Sequence, residues 1–519
     1  MARKFLILKF SLLFFTSEIS NAQQLFAQGT NTNNIEFPYD AVELPGNRFA
    51  LSITKATGVT STDHCFMELV ITDSLGNIEH HTVAPFDSSV YINPRDIFYR
   101  NGLLYSVALL DSIGNKPTHV HVSVWDTTLN LISERVHSVC DSGWYILESF
   151  AEMYGNRIYS IEARVMEGDN IGSLTHPLLS VYDLNGDLIS RKELDTTFIT
   201  TLAGGDDYSI LPENLTINDS GSLYFSFAGK KISNNSWGNQ PFLVEVDTSL
   251  NLVSLAEFSC WDIMCDTTYG GYFGKKLVAT TGTTLFGAFL AILLSDSKYR
   301  NSVAKIEFPQ GMVGSSIKPE RLEIVPDNTT GFLVTKTLGR NAISAYNNRI
   351  FTLGLDFHSY SSAVNNLIIT RADTNGQIIW TKYIESDGRP FEPRFILATS
   401  DGGCLVAAII YNVGLARRDH YIFKLDGNGH FTSVQRLEQA KERIVKVFPN
   451  PASSVLNFEL DKAGEYSIDI SDMTGRRVLQ NKVIGVSQTF DVSHLAEGMY
   501  QYAVYESELI IDSGLWLKQ

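Results

Sequence analysis

Apolar and polar residues alternate along most of this chain, and Gly, Asn and Asp break the alternation at regular intervals. An alternating run gives a strand one buried face. The Asx/Gly breaks suit tight hairpins, because those residues tolerate positive φ. One such element recurs seven times: GNRFALSIT from Gly46, NGLLYSVALL from Asn101, GNRIYSIEARV from Gly155, SGSLYFSFAG from Ser220, GTTLFGAFLAIL from Gly282, NNRIFTLGL from Asn347 and DGGCLVAAII from Asp401. Between these copies lies a second element, a strand, an Asp-bearing turn and another strand, around Asp73, Asp126, Asp183, Asp247, Asp373 and Asp426. Its fifth copy, VAKIEFPQG near Phe308, is degraded. A short strand ahead of each first element, such as residues 395–399, brings the unit to four antiparallel strands.

Units recur roughly every 55–65 residues, and a single unit cannot bury both of its faces, so neighbours must stack. Seven four-stranded units arranged radially predict an all-β fold, a seven-bladed β-propeller over residues 35–438. Six or eight blades, two sandwiches and a solenoid compete with it. Solenoid coils are usually shorter, and sandwiches would not repeat so evenly. The pattern assigns neither the strand that lines the channel nor the way the ring closes.

Residues 1–22 differ from the rest. Arg3 and Lys4 precede an apolar run over 5–15, and Ser20-Asn21-Ala22 puts small residues ahead of Gln23. That is a signal-peptide pattern with cleavage between Ala22 and Gln23. The run is shorter than the ~20 residues a bilayer-spanning helix needs. No later run reaches that length. Residues 282–295 come closest and read as a buried strand. Residues 23–34 are polar, and a flexible segment is expected there.

The pattern changes again after Glu438. A charged stretch, 439–443, reads as a linker, and residues 444–519 alternate strongly enough for a small Ig-like β-sandwich of about seven strands. This tail resembles the type A C-terminal sorting domain of the type IX secretion system of Bacteroidota. The likeness rests on Pro449-Asn450-Pro451 after an apolar strand, on Asp472-Met473-Thr474-Gly475-Arg476, on Asp491-Val492-Ser493 with Leu495, Gly498 and Tyr500, and on Lys518 near the end. Gln501-Tyr502 depart from the apolar pair more usual after that Tyr. The resemblance implies export to the periplasm, passage through the outer membrane, and removal of the tail by a sortase. The secretion machinery and that sortase are thus the implied partners, and the outer-membrane surface or the medium is the destination.

Formal net charge is −16, and removing residues 1–22 takes away Arg3, Lys4, Lys9 and Glu18 and leaves −18. A surface that negative repels phosphate backbones, so nucleic acid is excluded as a partner. Among the five cysteines, Cys260 and Cys265 enclose a short loop that suits a disulfide, while Cys404 sits in an apolar strand as a small core residue. No metal-protease, Walker, nucleophile-elbow or EF-hand motif occurs. His119 and His121 share one strand face, which suits a metal, although two exposed strand histidines are the commoner explanation. Asp183-Leu184-Asn185-Gly186-Asp187 has part of a calcium loop but lacks its later Glu, so a hairpin turn is expected. Residues 371–380 (RADTNGQIIW) are similar to one repeat of pyrroloquinoline-quinone propellers, but Trp380 is the one Trp of that kind and reads as a packing residue. Trp125, Trp144, Trp237 and Trp261 would suit a sugar-stacking surface, with core or rim packing as the default. No catalytic, cofactor or metal residue is singled out. The expectation is a binding module for an extracellular polymer or protein, with an extracellular hydrolase or lyase acting on glycans or peptides as the alternative and a cofactor-dependent oxidoreductase the weakest reading.

Overall fold

The structure, a computed structural model, describes residues 35–56, 65–74, 76–83, 91–111, 116–166, 175–194, 208–212, 214–231, 240–258, 269–280, 282–293, 298–307, 313–317, 320–325, 342–357, 365–385, 390–412, 417–433, 445–472, 477–506 and 509–519. The two signal-cleavage residues, Ala22 and Gln23, lie outside that set, as do Cys260, Cys265, Trp237 and Trp261. Every regular element among the described residues is a β-strand. The chain divides into two compact units, 1–437 and 438–519.

In the first unit the described strands form seven sheets. Sheets 1, 2, 3, 6 and 7 are four-stranded meanders over 35–83, 91–138, 144–193, 343–385 and 391–433. The seven-fold sequence element is the second strand of sheets 1, 2, 3, 5, 6 and 7, as in Arg48–Ala56, Leu103–Asp111 and Cys404–Asn412. In sheet 4 it is Leu223–Lys231, whose partner strand is split into Tyr208–Pro212 and Thr216–Ile217. The degraded fifth copy has a structural counterpart. Sheet 5 lacks the Asp turn between Lys298–Glu307 and Arg321–Ile324. The intervening chain instead lays Val313–Ile317 parallel to Leu252–Phe258, which makes sheet 4 six-stranded.

Middle strands are apolar on both faces because each sheet is covered by a neighbour on either side. Leu69 and Ile71 of sheet 1 share a core with Leu104 and Trp125 of sheet 2. Val122 of sheet 2 joins Ile158 of sheet 3, and Val181 of sheet 3 joins Phe225 of sheet 4. Between sheets 4 and 5, Asn218 Nδ2 donates to Gly282 O at 2.6 Å and Ala279 N donates to Thr216 Oγ1 at 3.0 Å. Phe286 joins Ile350, Leu353 joins Val406, and Phe49 and Leu51 of sheet 1 share a core with Phe395 and Leu405 of sheet 7. The first strand of each sheet adjoins the first strand of the next, and that of sheet 7 adjoins that of sheet 1. The innermost strand, left open by the sequence, is therefore the first of each sheet.

The Asp-bearing turns fold as expected, through their own side chains. Asp183 Oδ1 accepts from Asn185 N at 2.8 Å and Asp187 N at 2.9 Å, and Asp126, Asp247, Asp373 and Asp426 repeat the pattern. The incomplete calcium loop is thus a hairpin turn. At the fourth position of these turns, Gly186, Gly376 and Gly429 have positive φ. Leu129 and Leu250 occupy the same position with φ of 62° and 64°. Both leucines are buried in inter-sheet cores, at 5% and 2% exposure. A left-handed Leu costs about 1–2 kcal/mol, and burying a Leu side chain returns about 1.5–3 kcal/mol.

The second unit is one five-stranded sheet. Val455–Asp472 and Arg477–Asp491 form a long hairpin, with a register break between Glu459 and Gly464. The first half of Val455–Asp472 also pairs with Val445–Phe448, and its second half with Gly498–Glu506, which carries Leu509–Lys518. Among the described residues there are five strands, against about seven expected, and the two long ones each span both halves. Phe458, Ile468, Ile470, Tyr502 and Trp516 form the core of this unit.

Candidate functional site

The sheets of the first unit have two chemically distinct ends. Tight turns occupy one end, and there the preceding sheet adds further contacts. Arg135 Nε donates to Asp187 Oδ1 at 2.6 Å, and Lys192 Nζ donates to Asn251 Oδ1 at 3.1 Å. Trp380 Nε1 donates to Gly427 O at 2.9 Å, which makes the quinone-like Trp380 a packing residue, as expected.

The opposite end is where the first strands begin and where the second and third strands are joined by longer connections. Aromatic rings and ion pairs gather there along the inner strands. Arg394 stacks over Phe37 and Tyr39, at 5.1 and 5.2 Å from the ring centroids, and its Nη1 donates to Glu392 at 2.9 Å. Arg95, buried, lies 5.9 Å from the Tyr39 ring and pairs with Glu148 of sheet 3 at 3.3 Å. Further along the inner strands, Asp40 accepts from Ile97 N at 3.0 Å, Asp96 accepts from Ala151 N at 2.8 Å, and Ser344 Oγ accepts from Ala398 N at 2.9 Å. These bonds fasten neighbouring first strands. Glu152 is the chemically distinctive group of this row. Burial, then the charges of Asp96 and Asp40, push its carboxyl up to about 8. The side chain is half-buried.

On the same end of sheet 3, Trp144 opens the first strand and is half-buried. Arg164 lies 5.9 Å from its ring centroid, and His176 meets it edge-on at 4.9 Å and 84°. Glu193 accepts from Arg164 Nη2 at 2.7 Å and pairs with His176 Nδ1 at 3.0 Å. Burial would raise the Glu193 carboxyl, but those two partners outweigh it and hold it below its ordinary value. Among the four candidate stacking tryptophans, Trp125 is a core residue with Nε1 bonded to Ser123 Oγ at 2.8 Å, so Trp144 is the one that the described residues place at a surface.

The paired histidines part company. His119 is half-buried, whereas His121 is fully buried and pairs with Glu134 at 3.3 Å. Exposure was the wrong expectation for His121, because the third strand of sheet 2 is covered on both faces. Burial lowers its pKa, against the pull of Glu134. Among the described residues no group of three or more His, Cys, Asp or Glu is placed to hold a metal. Cys404 is buried as expected, and Cys140 is a thiol pushed up to about 12 by burial. No described helix is long and apolar enough to cross a membrane.

In the second unit the motif residues converge on the two terminal strands. Asn450 Oδ1 accepts from Leu517 N at 3.0 Å, and Ala452 exchanges main-chain bonds with Leu517 and Gln519 at 2.8 and 2.9 Å, so the segment around Pro449 and Pro451 is tied to the C-terminal strand. Asp472 stands opposite Tyr500. The Tyr500 hydroxyl donates to Ala496 O at 2.9 Å, and its ring stacks on Trp516 at 5.2 Å. Leu495 packs on the core, Gly498 has positive φ, and Lys518 is buried. Gly475 and Arg476 lie outside the described residues. Tyr502, the departure noted in the sequence, is a core residue, and Gln501 is exposed.

Residues 446–511 match the model of the secretion system C-terminal sorting domain. The tail is therefore a sorting domain of the type IX secretion system, and the protein is delivered to the cell surface or the extracellular space. Comparison with curated proteins gave no match. Similar solved structures include an ulvan lyase, a polysaccharide lyase (10% identity over 77% of this chain and 96% of that one, TM-score 0.44). Prolyl oligopeptidase B from Galerina marginata (7% identity, 86% and 58%, TM-score 0.42) and the phage phi92 endosialidase (9% identity, 95% and 86%, TM-score 0.41) are also similar. All three scores lie below 0.5, and none assigns an activity or a blade number to this chain.

Proposed function

We propose that residues 35–438 form a seven-bladed β-propeller that acts outside the cell as a binding module for an extracellular polymer or protein. The reading divides the chain into a signal peptide at 1–22, a flexible segment at 23–34, the propeller, a linker at 439–443 and an Ig-like sorting domain at 444–519. Seven sheets in cyclic contact support the blade number. One observation carries the function: the polar groups of one end are taken up by that end's own turns and by the preceding sheet, while the other end gathers Phe37, Tyr39, Arg95, Glu148, Glu392 and Arg394 around the inner strands. Rigid scaffolds that present such a rim to solvent are suited to recognition. Probing glycan and protein arrays with the mature protein tests this. Binding that Arg394→Ala weakens is expected, and a bound ligand indifferent to that end of the sheets would refute it.

The sorting motif, with Pro449, Asn450, Pro451, Asp472, Gly475, Arg476, Leu495, Gly498, Tyr500 and Lys518, is read as the address presented to the secretion machinery and its sortase. Deleting 444–519 is expected to strand the protein in the periplasm, which cell fractionation would show. A second reading, an extracellular hydrolase or lyase, is favoured by Glu152, a carboxyl kept protonated near neutral pH and so able to donate a proton. Turnover of a glycan or peptide that Glu152→Gln abolishes would support it.

A further inference from the structure

We propose that the end of sheet 3 opposite its tight turns is a saccharide subsite: Trp144 is a stacking platform for a pyranose ring, and Arg164, His176 and Glu193 are the polar fence that reads its hydroxyls. The proposal rests on the binding-module reading and names the ligand class. A pyranose offers an apolar C–H face and a rim of hydroxyls. The complement is a flat aromatic ring edged by a few fixed planar donors and acceptors.

Sheet 3 supplies that combination from all four of its strands. Trp144 begins the first, Arg164 lies near the end of the second, His176 begins the third and Glu193 ends the fourth. Glu193 holds both Arg164, at 2.7 Å, and His176, at 3.0 Å, so the three polar side chains are ordered before any ligand arrives. Ordering them in advance lowers the entropy cost of binding. The cluster is not sealed. The side chains of His176 and Glu193 are 38% and 52% exposed, and among the described residues Arg164 Nη1 and His176 Nε2 have no protein partner. Those two nitrogens and the carboxylate are the groups that hydroxyls would meet.

Tyr145 and Glu148 follow Trp144 on the same strand but on its opposite face, since Trp144 and Ile146 stand against Met166 and Arg164 while Tyr145 and Glu148 stand against Val165 and Ala163, so the platform is a subsite for one ring. The strongly negative chain and the carboxylate in the fence disfavour a nucleic-acid base on this ring.

Affinity electrophoresis and tryptophan fluorescence of the mature protein, with a neutral β-glucan, a galactomannan and a polygalacturonate as probes, test the idea. At least one polymer should retard the protein and shift its emission. Trp144→Ala should weaken binding tenfold or more, Trp144→Phe by less, and Glu193→Gln by threefold or more. Asp426→Ala, at the far end, should bind as the wild type does. Melting curves identify any variant that fails to fold, and in that event the folded Trp144→Phe and Glu193→Gln proteins decide. Polysaccharide binding untouched by all three variants overturns the subsite while the binding module stands. Binding of a protein but of none of the polymers does the same. Binding of neither class of ligand sinks both.

Discussion

At the tight-turn end of the sheets, Asp126, Asp183 and their counterparts each satisfy the main-chain donors two and four residues ahead. At the other end, Arg95 is answered by a carboxylate of the next sheet, Arg164 by one two strands away in its own sheet and Arg394 by one on its own strand, and beside them lie half-buried rings. The first arrangement is closed by its own turns and by side chains of the preceding sheet. The second combines ion pairs with half-buried rings and leaves polar atoms facing outward. Such an end can gain contacts from a ligand, whereas the closed end has little left to offer.

The comparison presumes that sheets 1 and 7 are sealed together, so the largest effect is expected there. Phe395→Ala should cost about 3–5 kcal/mol in urea unfolding, as for other buried Phe truncations. Phe225→Ala, between sheets 3 and 4, should cost a similar amount. A loss below about 1 kcal/mol at Phe395 alone would mean an open seam.

Glu152 comes next. Its folded carboxyl titrates near 8, above the unfolded value of about 4.3, so the folded state holds a proton that the unfolded state has released. Stability should fall as pH rises through that window and level off above it. Glu152→Gln should flatten the slope, raising the melting temperature at pH 8 and leaving it nearly unchanged at pH 4.

Asp126→Ala should cost about 1 kcal/mol, comparable to removing a helix cap, with no change in ligand binding. The main-chain bond from Asn130 leads the interactions that depress the Asp126 carboxyl. Its contribution is therefore present above the unfolded pKa and lost as pH falls through the lower folded one. Leu129→Gly sharpens the same point. Strain is relieved but a buried side chain is lost, for a net cost of about 1 kcal/mol in denaturant titrations. Smallest in stability is Arg394→Ala, expected to cost under about 1 kcal/mol because its cation–π and ion-pair contacts are partly solvated, while ligand binding falls.

How much was legible in the sequence follows the same divide. Strand alternation and Asp turns are local, and they give the repeat and the turns at Asp183 and Asp426 correctly. The sorting domain is legible because its recognisable residues sit in short runs, such as those around Pro449 and Tyr500, and residues 446–511 match its model. Leu129 and Leu250 hide their left-handed conformation, because only an apolar seam formed by another sheet makes it tolerable. His121 reads as a surface residue until its strand is seen to be covered on both faces. Arg95 and Glu148 are 53 residues apart, and no local pattern brings them together. The parallel excursion at Val313–Ile317 is announced by a missing Asp turn and by nothing else.

Among the described residues sheets 1 and 7 share no strand at their junction, where Phe49, Leu51, Phe395 and Leu405 meet and Glu43 grips the amide and hydroxyl of Ser400, each at 2.6 Å. The line between the two ends of the body is thus held by side chains alone, an apolar seam with one carboxylate latch, and not by a main-chain ladder.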